Sequence, residues 1–369
     1  MAYKPTPAGT SGGGSSSAPN PPEQTAIEAA SDIENEEGEH DDDDVDSALG
    51  DDASSIIHSI TSSILNYRTI QGRTFHSEKH NSTYFIPNDE QQLQSVDITH
   101  HYLTMLTGDK LFLAPIPDNV QRVLDIGTGT VFRFTHARPQ NSVFAETYPN
   151  AEVIGTDLSP TQPLWVPPNV KFELDDCTQP WTWSENSFDF VHIRYLFGAI
   201  ADWNELFRQA YRVTRPGGWA QSCEADVEIR SDDGTLTPDS AYVTFWNMLY
   251  REAAPKLGVT FQPIDDDVQR KAFEAAGFQN IKVHDFKFPL GGWPADKRLA
   301  EIGQYVQLTL LNDVEGYTLF LWNIVKGEKT PGYQEELEKI RRELRTKKIH
   351  GYMRCRVVFG QKPESAWMS

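Results

Sequence analysis

Short apolar runs separated by turn-forming residues begin near residue 120, and this pattern predicts the strands of a β-sheet. The predicted strands are Arg122–Ile126, Glu152–Thr156, Val170–Leu174, Phe188–Ile193 and Trp219–Glu224. A helical pattern at about Trp203–Val213 lies between the fourth and fifth of these strands. Strands that alternate with helices are typical of βαβ units. The sequence therefore predicts an α/β fold with a doubly wound, Rossmann-like sheet.

Helical periodicity flanks this core on both sides. On the N-terminal side it predicts helices at about 54–68 and 89–107, the second capped by the Asn-Asp-Glu sequence at 88–90. On the C-terminal side the predicted elements are helices at about 238–256, 266–276, 296–327 and 333–346 and strands at Gln279–Lys287 and Tyr352–Phe359. The two added strands bring the sheet to seven. We expect the C-terminal helices to form a cap over the substrate site.

The first 53 residues have a different composition. They are rich in Gly, Ser, Pro, Asp and Glu, so they cannot bury enough apolar surface to offset the entropy of ordering, and we expect a disordered acidic tail. Of the formal net charge of −20, residues 1–55 carry −13, because fourteen acidic residues accompany a single lysine. The remaining chain has no clustered base, which argues against a nucleic-acid footprint. The tail is interpreted as a solubilising segment or as a docking arm for a basic partner.

The cysteines and the apolar segments indicate the cellular compartment in which the protein is expected. Cys177, Cys223 and Cys355 lie far apart in the sequence, so they predict neither a metal site nor a disulfide framework, and a reducing compartment is expected. The N-terminus has no apolar leader, and the apolar run Tyr317–Val325 is too short to span a bilayer. We expect a soluble protein of the cytoplasm or nucleus, with no membrane partner.

A glycine-rich turn follows the first predicted strand. The sequence Val-Leu-Asp-Ile-Gly-Thr-Gly-Thr occupies residues 123–130, and glycine at such a turn lets the backbone approach a ligand closely. Both methyltransferases and dinucleotide-binding dehydrogenases use turns of this kind. Two features argue against the dehydrogenase. Asp125 lies two residues before the first glycine, and Phe132 stands where the dehydrogenase motif has its third glycine.

Carboxylates follow the next two strands. Asp157 ends the second strand, where a carboxylate can accept hydrogen bonds from both hydroxyls of a ribose. The third strand ends in Asp175-Asp176-Cys177, where a carboxylate can accept from an adenine amino group and the next amide can donate to a ring nitrogen. Further along, Arg215 to Trp219 predicts a tight turn between a helix and the fifth strand. The ordered set indicates an adenosine-containing cofactor.

These motifs together carry a family resemblance. They read Val-Leu-Asp-Ile-Gly-Thr-Gly-Thr at 123–130, Ala-Glu-Val-Ile-Gly-Thr-Asp-Leu-Ser-Pro at 151–160, Asp-Asp-Cys-Thr-Gln-Pro-Trp at 175–181, Phe-Asp-Phe-Val-His-Ile-Arg at 188–194 and Arg-Pro-Gly-Gly-Trp at 215–219. The series resembles class I methyltransferases that use S-adenosyl-L-methionine. It resembles more closely the fungal LaeA-like group, which is associated with the regulation of secondary metabolism and the tailoring of natural products.

The resemblance implies roles for particular residues in holding the cofactor. Asp125 would orient its amino end directly or through water, and Gly127 and Gly129 would admit its methionine moiety. The resemblance further implies that Asp157 holds the ribose and that Leu158 is a further cofactor-binding residue. It implies that Asp176 and the Cys177 amide bind the adenine and that His192 to Arg194 lie beside the methionine part. It implies methyl transfer to a small natural product or a protein, with a regulatory protein as a further partner.

The likeness extends from about Ser54 to Pro363, which sets the expected domain organisation. Within this methyltransferase domain, residues 54–119 would form the N-terminal helical segment and 120–230 the cofactor-binding core. Residues 231–350 would form the substrate cap and the sixth strand, and 351–363 the last strand. The acidic tail, 1–53, lies outside it.

One segment departs from the family. The family loop has a third glycine where this chain has Val131. Asp125 and Asp157 are 32 residues apart, whereas the resemblance implies a spacing of about 25, which is within the usual range of a βαβ unit. Residues 131–143 are interpreted either as a genuine insertion or as a splicing or annotation artefact. A branched side chain at the loop would crowd the cofactor. The alternative function is therefore a non-catalytic methyltransferase-fold module that binds a regulatory partner.

The sequence assigns no catalytic residue. Methyl transfer gains much of its rate from positioning and desolvation, so it does not require a motif for a general base. His192, His284 and Glu224 are candidate bases, but a single histidine in such a chain is more often structural.

Overall fold

The computed structural model describes residues 67–77, 84–129, 144–145, 147–160 and 167–364. Its strands are β1 (Arg68–Ile70), β2 (Arg73–Phe75), β3 (Arg122–Ile126), β4 (Glu152–Asp157), β5 (Val170–Leu174), β6 (Phe188–Arg194), β7 (Thr214–Arg230), β8 (Gln279–Pro289) and β9 (Tyr352–Gln361). Its helices are α1 (Glu90–Leu106), α2 (Trp203–Val213), α3 (Met248–Leu257), α4 (Val268–Ala276), α5 (Lys297–Val325) and α6 (Tyr333–Leu344). No helix in these ranges is both long and apolar enough to cross a membrane.

Seven strands form one sheet in the order β5-β4-β3-β6-β7-β9-β8. The first five of these run parallel, and β9 runs antiparallel to both β7 and β8. The chain goes outward from β3 to β5 and then returns to place β6 beside β3. The strand order therefore reverses between β3 and β6, and ligands of open α/β sheets bind at the carboxyl ends of strands at such a reversal. The predicted doubly wound, seven-stranded sheet is confirmed.

The strands are apolar because both faces of the sheet are covered. Val123 packs into a cluster on the side of α1 and α5, whereas Leu124 and Ile126 pack into a second cluster with α2 and α4. On that second face Phe207 of α2 and Phe273 of α4 pack with ring centroids 4.5 Å apart. Successive side chains of a strand point to opposite faces, so a strand between two helical layers has no polar face.

The fifth strand is longer than the sequence predicted. We expected Trp219–Glu224 with a separate tight turn at 215–219, but β7 begins at Thr214 and continues to Arg230. The register between β6 and β7 shifts between Phe188 and Phe190, and Gly217 adopts a positive φ of 78°. The glycines therefore bend the strand by a bulge rather than end it.

The N-terminal segment also differs from expectation. The predicted helix at 54–68 lies outside the described residues up to 66, and at its end Arg68 begins a strand rather than continuing a helix. β1 and β2 form a hairpin in which Ile70 pairs with Arg73. Gln71 and Gly72 between them have φ values of 48° and 86°, as a two-residue hairpin turn of type I′ requires. The tail and residues 131–143 lie outside the described residues.

The remaining helices follow the prediction closely, apart from one opening turn. The predicted helix at 238–256 begins instead as a π-helical segment at Tyr242–Asn247 and continues as α3. α1 is capped as expected, because the Asp89 carboxylate accepts a hydrogen bond from the Gln92 amide at 3.2 Å. α1 packs beside the long helix α5. Both helices lie over the carboxyl ends of the parallel strands.

Candidate functional site

A deep cavity opens at the carboxyl ends of β3, β4, β5 and β6, beneath α1 and α5. It contains about 1520 Å³ of empty space, including its open mouth. The end formed by the strand termini carries the charged lining residues. The end formed by the helices is mainly aromatic and aliphatic.

The glycine turn after β3 forms part of the charged end. Gly127 and Gly129 have φ values of 71° and 67°, a region that favours glycine. A Cβ atom on Gly127 would lie 2.5 Å from Cδ2 of Leu196. The amides of Gly127 and Thr128 both donate to the Thr156 carbonyl at 3.0 Å, which fixes the turn against β4. The sequence predicted this close approach of backbone to the cavity, and Gly127, Thr128 and Gly129 all line it.

Asp157 occupies the end of β4 and faces the same turn. Its Oδ2 accepts a hydrogen bond from the Gly129 amide at 2.8 Å, and its Oδ1 accepts from the Ser159 amide at 3.2 Å. Burial raises the pKa of this carboxyl group, although the two amides act in the opposite direction. Asp157 and Leu158 both line the cavity. The Asp157 carboxylate therefore binds the glycine turn and also lines the cavity where the ribose is predicted to bind.

Asp176 lies at the end of β5 and is only 7% exposed. Its Oδ1 accepts from the Thr178 amide at 3.0 Å and from the Thr178 hydroxyl at 2.6 Å. Its Oδ2 is buried and has no hydrogen-bond partner among the described residues. A buried oxygen without a partner is costly, so a donor from a ligand would be favoured here. Cys177 also lines the cavity, and burial raises the pKa of its thiol, so the thiol stays protonated.

Asp125 is placed differently from the other predicted site residues. It is 5% exposed, and its Oδ1 lies 2.8 Å from Nδ1 of His192 on the neighbouring strand. Neither side chain is among the cavity-lining residues. The pair lies beneath the glycine turn, where the Thr128 hydroxyl donates to the Asp125 carbonyl at 3.2 Å. A role for Asp125 in binding the cofactor stays a prediction. In this structure Asp125 stabilises the glycine turn through its backbone carbonyl and pairs with His192.

The other two candidate bases also lie outside the cavity lining. Glu224 is fully buried, and its Oε2 accepts from the Phe197 amide at 2.9 Å. Burial raises the pKa of this carboxyl group well above its ordinary value. His284 lies on the edge strand β8, where it stacks on Phe359. Glu224 therefore holds the loop that follows β6, and neither residue reaches the cavity.

Arg194 forms a hydrogen bond with His100 that the sequence did not predict. Its guanidinium Nη2 donates to Nδ1 of His100, on α1, at 2.8 Å, and both side chains line the cavity. A guanidinium has no acceptor, so His100 must accept at Nδ1 and carry its proton on Nε2. Burial, together with the charge of Arg194, lowers the pKa of His100 well below its ordinary value. No carboxylate forms an ion pair with Arg194 in the described ranges, which leaves this cation available for an anionic group.

The segment before α1 supplies further lining residues. The Ser159 hydroxyl lies 2.7 Å from Nδ1 of His76, and the Asn88 Nδ2 donates to the same hydroxyl at 3.3 Å. His76 and Asn88 line the cavity, and the Asn88 Oδ1 is buried without a partner among the described residues. The sequence used the Asn-Asp-Glu segment at 88–90 to place a helix cap and assigned neither His76 nor Asn88 to the site.

The charged end fits S-adenosylmethionine. The cofactor has a carboxylate, two ribose hydroxyls and an adenine amino group. The cavity offers the Arg194 guanidinium, which has no carboxylate partner among the described residues, and the carboxylates of Asp157 and Asp176 at adjacent strand ends. The Oδ2 of Asp176 has no hydrogen-bond partner among those residues. The positive φ at Gly127 and Gly129 keeps side chains out of the space between these groups. Donor and acceptor types therefore match along the length of the site.

Comparisons with known proteins agree with this arrangement. A family model described as "Methyltransferase domain" matches residues 98–283. The methyltransferase pytC of Aspergillus terreus is 37% identical over 314 residues, which cover 85% of this chain and 93% of that protein. The secondary metabolism regulator LAE1 of Cochliobolus heterostrophus is 32% identical and covers 79% of this chain and 94% of its own length. A relative named protein-methionine methyltransferase laeA, from Emericella nidulans, is 30% identical and covers 79% of this chain and 75% of its own.

Proposed function

This chain belongs to the methyltransferase-domain family and is an S-adenosylmethionine-dependent methyltransferase, and from that premise we propose that its acceptor is a small, largely apolar molecule of secondary metabolism. The observation that carries the proposal is the continuity of the cavity. One cavity extends from the strand ends that suit the cofactor to the buried side chains of Phe85, Trp246, Tyr250, Phe288 and Met353. An extended protein segment would need an open groove rather than a space lined by buried aromatic side chains.

The cofactor supplies an electrophilic methyl group on a sulfonium sulfur when it is bound. The residues proposed to hold it are those predicted from the sequence that line the cavity, which excludes Asp125, with His100 added through its bond to Arg194. In this proposal the Arg194 guanidinium receives the cofactor carboxylate, Asp157 accepts from the ribose hydroxyls and the Asp176 Oδ2 accepts from the adenine amino group. Leu158 and Cys177 would flank the adenosine.

The contribution of this chain to the reaction would be orientation and exclusion of water. The aromatic walls remove water from the acceptor, which strengthens the attraction between its nucleophilic atom and a positively charged sulfonium. The cavity lining includes His76 and His100, and burial lowers the pKa of His100 well below its ordinary value, so His100 stays neutral.

A label-transfer experiment tests the acceptor class. The chain is incubated with S-adenosylmethionine labelled on its methyl group and with an extract of a fungal culture. Label that moves into the organic-solvent fraction supports the proposal. Label found only in acid-precipitated protein would overturn it in favour of a protein acceptor. The Asp157→Ala chain is the control, and it should transfer little label to either fraction.

The second candidate is a non-catalytic module that binds a regulatory partner. Its support is Val131 in place of a glycine, together with the regulator named among the relatives. The described part of the loop favours catalysis, because Gly127 and Gly129 keep the open backbone that a cofactor needs. Val131→Gly should increase cofactor affinity if that side chain crowds the site. No binding of S-adenosylhomocysteine by either the unchanged chain or the Val131→Gly chain would favour the module.

A further inference from the structure

Two tyrosine side chains meet in the cavity where its charged end adjoins its aromatic end. The hydroxyl of Tyr102, on α1, lies 3.2 Å from the hydroxyl of Tyr195, the residue that follows β6. Both residues line the cavity, and Tyr195 is partly exposed. Tyr195 comes directly after Arg194 of the charged end, whereas the ring of Tyr102 packs on Phe288 of the aromatic end at a centroid distance of 5.6 Å. The tyrosine pair therefore lies at the boundary between the two ends.

The backbone of Tyr195 is held in a conformation that a bulky residue rarely adopts. Its φ is 58°, in the left-handed region that favours glycine, and among the described non-glycine residues with a positive φ it alone lines the cavity. Neighbouring bonds fix this conformation. The Tyr195 amide donates to the Cys223 carbonyl at 3.0 Å, and the Phe197 amide donates to the Glu224 carboxyl group at 2.9 Å. Strained residues that the surrounding structure holds in place are concentrated at functional sites, so the strain indicates a role for the Tyr195 side chain in the cavity.

The hydrogen bonds behind the tyrosine pair determine which hydroxyl donates to the other. The Thr99 hydroxyl donates its one proton to the Ser95 carbonyl at 2.8 Å, so its hydrogen bond with Tyr102 needs Tyr102 as the donor. The Tyr102 oxygen then accepts the proton of Tyr195. Burial raises the pKa of Tyr102 to about 12 and the pKa of Tyr195 well above its ordinary value, so both hydroxyls stay protonated. The Tyr195 oxygen therefore keeps its lone pairs for a ligand.

The segment that contains Tyr195 lies against the glycine turn. A Cβ atom on Gly127 would lie 3.6 Å from the Arg194 carbonyl oxygen and 2.5 Å from the Leu196 side chain. Tyr195 lies between these two residues in the chain. The donor is proposed to extend across this turn, with its ribose at Asp157 and its carboxylate at Arg194, and its sulfonium lies between those two groups of the molecule. The methyl group must point from there toward the acceptor, across the boundary at which the tyrosine pair lies.

From these observations we propose that Tyr195 is a donor-binding residue whose hydroxyl oxygen faces the sulfonium methyl group, and that Tyr102 positions this hydroxyl. The hydrogens of a methyl group on a positively charged sulfur carry part of the charge, and the lone pair of an oxygen attracts them. In a space from which aromatic side chains exclude water, this attraction is stronger than in solution. Neither tyrosine takes a proton. The inference rests on the proposed function and adds a residue that distinguishes the charged methyl donor from its neutral product.

The test measures the affinities of three compounds that share the adenosine and the amino-acid end. S-adenosylmethionine carries the charged sulfonium methyl group, sinefungin has a charged amino group in the position of the methyl group, and S-adenosylhomocysteine has neither. Each is titrated by isothermal calorimetry against the unchanged chain and the Tyr195→Phe chain, which keeps the ring. Tyr195→Phe should weaken binding of the two charged compounds about 3- to 10-fold, the value of one hydrogen bond, and change binding of S-adenosylhomocysteine by less than about 2-fold. The ratio of each charged compound's affinity to that of S-adenosylhomocysteine should therefore fall.

Two further variants separate recognition of the charge from a structural role of the tyrosine pair. Tyr102→Phe removes the partner of the Tyr195 hydroxyl, so it should lower the same affinity ratio by a smaller factor. Tyr305→Phe is the matched control, because Tyr305 lies on α5 outside the cavity lining, and it should leave all three affinities unchanged. Each replacement keeps an aromatic ring of the same size, so the variants should fold. A pair that only joins α1 to the end of β6 would weaken all three compounds alike when either hydroxyl is removed.

The outcomes separate this inference from the function on which it rests. Failure of the unchanged chain to bind S-adenosylhomocysteine would overturn the proposed function and the inference with it. If S-adenosylhomocysteine binds, an unchanged affinity ratio after Tyr195→Phe, or equal weakening of all three compounds, would overturn the inference alone. A loss of affinity confined to the two charged compounds would support it.

Discussion

Gly127 shows how a single residue joins the fold to the site. Its amide donates to the Thr156 carbonyl at 3.0 Å, so its φ of 71° is set by the pairing of β3 with β4. The same conformation leaves no room for a side chain, because a Cβ would lie 2.5 Å from Leu196, which lines the cavity. A substitution there is expected to affect both stability and the position of a lining residue.

Gly127→Ala should destabilise the chain by about 1–2 kcal/mol from the left-handed backbone, with an added cost for displacing Leu196. Gly72→Ala is the control, since Gly72 has a φ of 86° and nothing within 4 Å of the added Cβ. Urea denaturation of both variants measures the difference. Equal destabilisation would contradict the close contact, and only Gly127→Ala should weaken binding of S-adenosylhomocysteine.

His100 gives the chain a pH-dependent stability. Burial and the charges of Arg194, His101 and His192 lower the pKa of His100 in the folded state, whereas the unfolded chain keeps the ordinary value near 6.5. As the pH falls below that value, the unfolded state takes up a proton that the folded state does not, so the free energy of unfolding decreases by up to about 1.4 kcal/mol per pH unit. Above it, His100 is neutral in both states and its contribution is constant.

His100→Asn removes this group and keeps a side chain that can accept from Arg194. Urea denaturation at pH 7.5 and pH 5.5 should show a larger loss of stability for the unchanged chain than for the variant. The comparison between the two chains is needed because burial also raises the pKa of Glu224. The contribution of Glu224 to the free energy of unfolding therefore increases as the pH falls, opposite to that of His100. The same loss in both chains would contradict the neutral state of His100.

At the scale of elements, Arg73 connects the hairpin strand β2 to the helices α1 and α5. Arg73 on β2 forms ion pairs at 2.6 Å with Asp89, which caps α1, and with Asp313 of α5. The side chain of Asp313 is fully buried, and its backbone departs from helical geometry with a φ of −147°. The kink in α5 and the start of α1 are thus held by the N-terminal hairpin. Both helices line the cavity, so this cluster positions its walls.

Arg73→Met should destabilise the chain by about 3–5 kcal/mol, because it leaves the Asp313 carboxylate buried without its partner. Arg122→Met is the control. Its pair with Glu152 is about one third exposed on both sides, so the loss should be within about 1 kcal/mol. Thermal or urea unfolding measures both. Similar losses in the free energy of unfolding for the two variants would show that the Arg73 cluster stabilises the fold no more than a surface ion pair does.

The elements were more predictable from the sequence than the contacts between them. The bounds of β3, β5 and α2 follow the apolar periodicity, because a strand between two helical layers and an amphipathic helix each leave a clear pattern. The hairpin β1–β2 was missed, since three-residue strands leave no period to read. Similarly, the chain shows carboxylates at strand ends, but only the fold brings His100 to Arg194 and Tyr102 to Tyr195.

At the scale of the whole molecule, the described fold accounts for the cavity without the acidic tail. The sheet, α1 and α5 supply about half of its lining and the described connecting segments supply most of the rest, whereas residues 1–53 lie outside the described residues. The strongly acidic composition of that segment remains the basis for predicting that it does not contribute to the core. The rest of the chain would then carry about a third of the net charge of −20.

A chain that begins at Ser54 should therefore unfold at the same temperature as the full chain, because a solvated tail makes no contacts to lose. Differential scanning calorimetry at equal ionic strength compares the two. A decrease of several degrees on removal of the tail would show that it packs against the domain. The cofactor affinity should also be unchanged.

The central claim is that the cavity at the strand ends binds the methyl donor, and calorimetric titration with S-adenosylhomocysteine tests it most directly. The full chain should bind one equivalent. Asp157→Ala should lose on the order of 1–3 kcal/mol of binding free energy, since charge-assisted hydrogen bonds of that size would be removed. Asp118→Ala, at an exposed turn, should bind as the unchanged chain does. No binding by the full chain, or equal affinity after Asp157→Ala, would contradict the account.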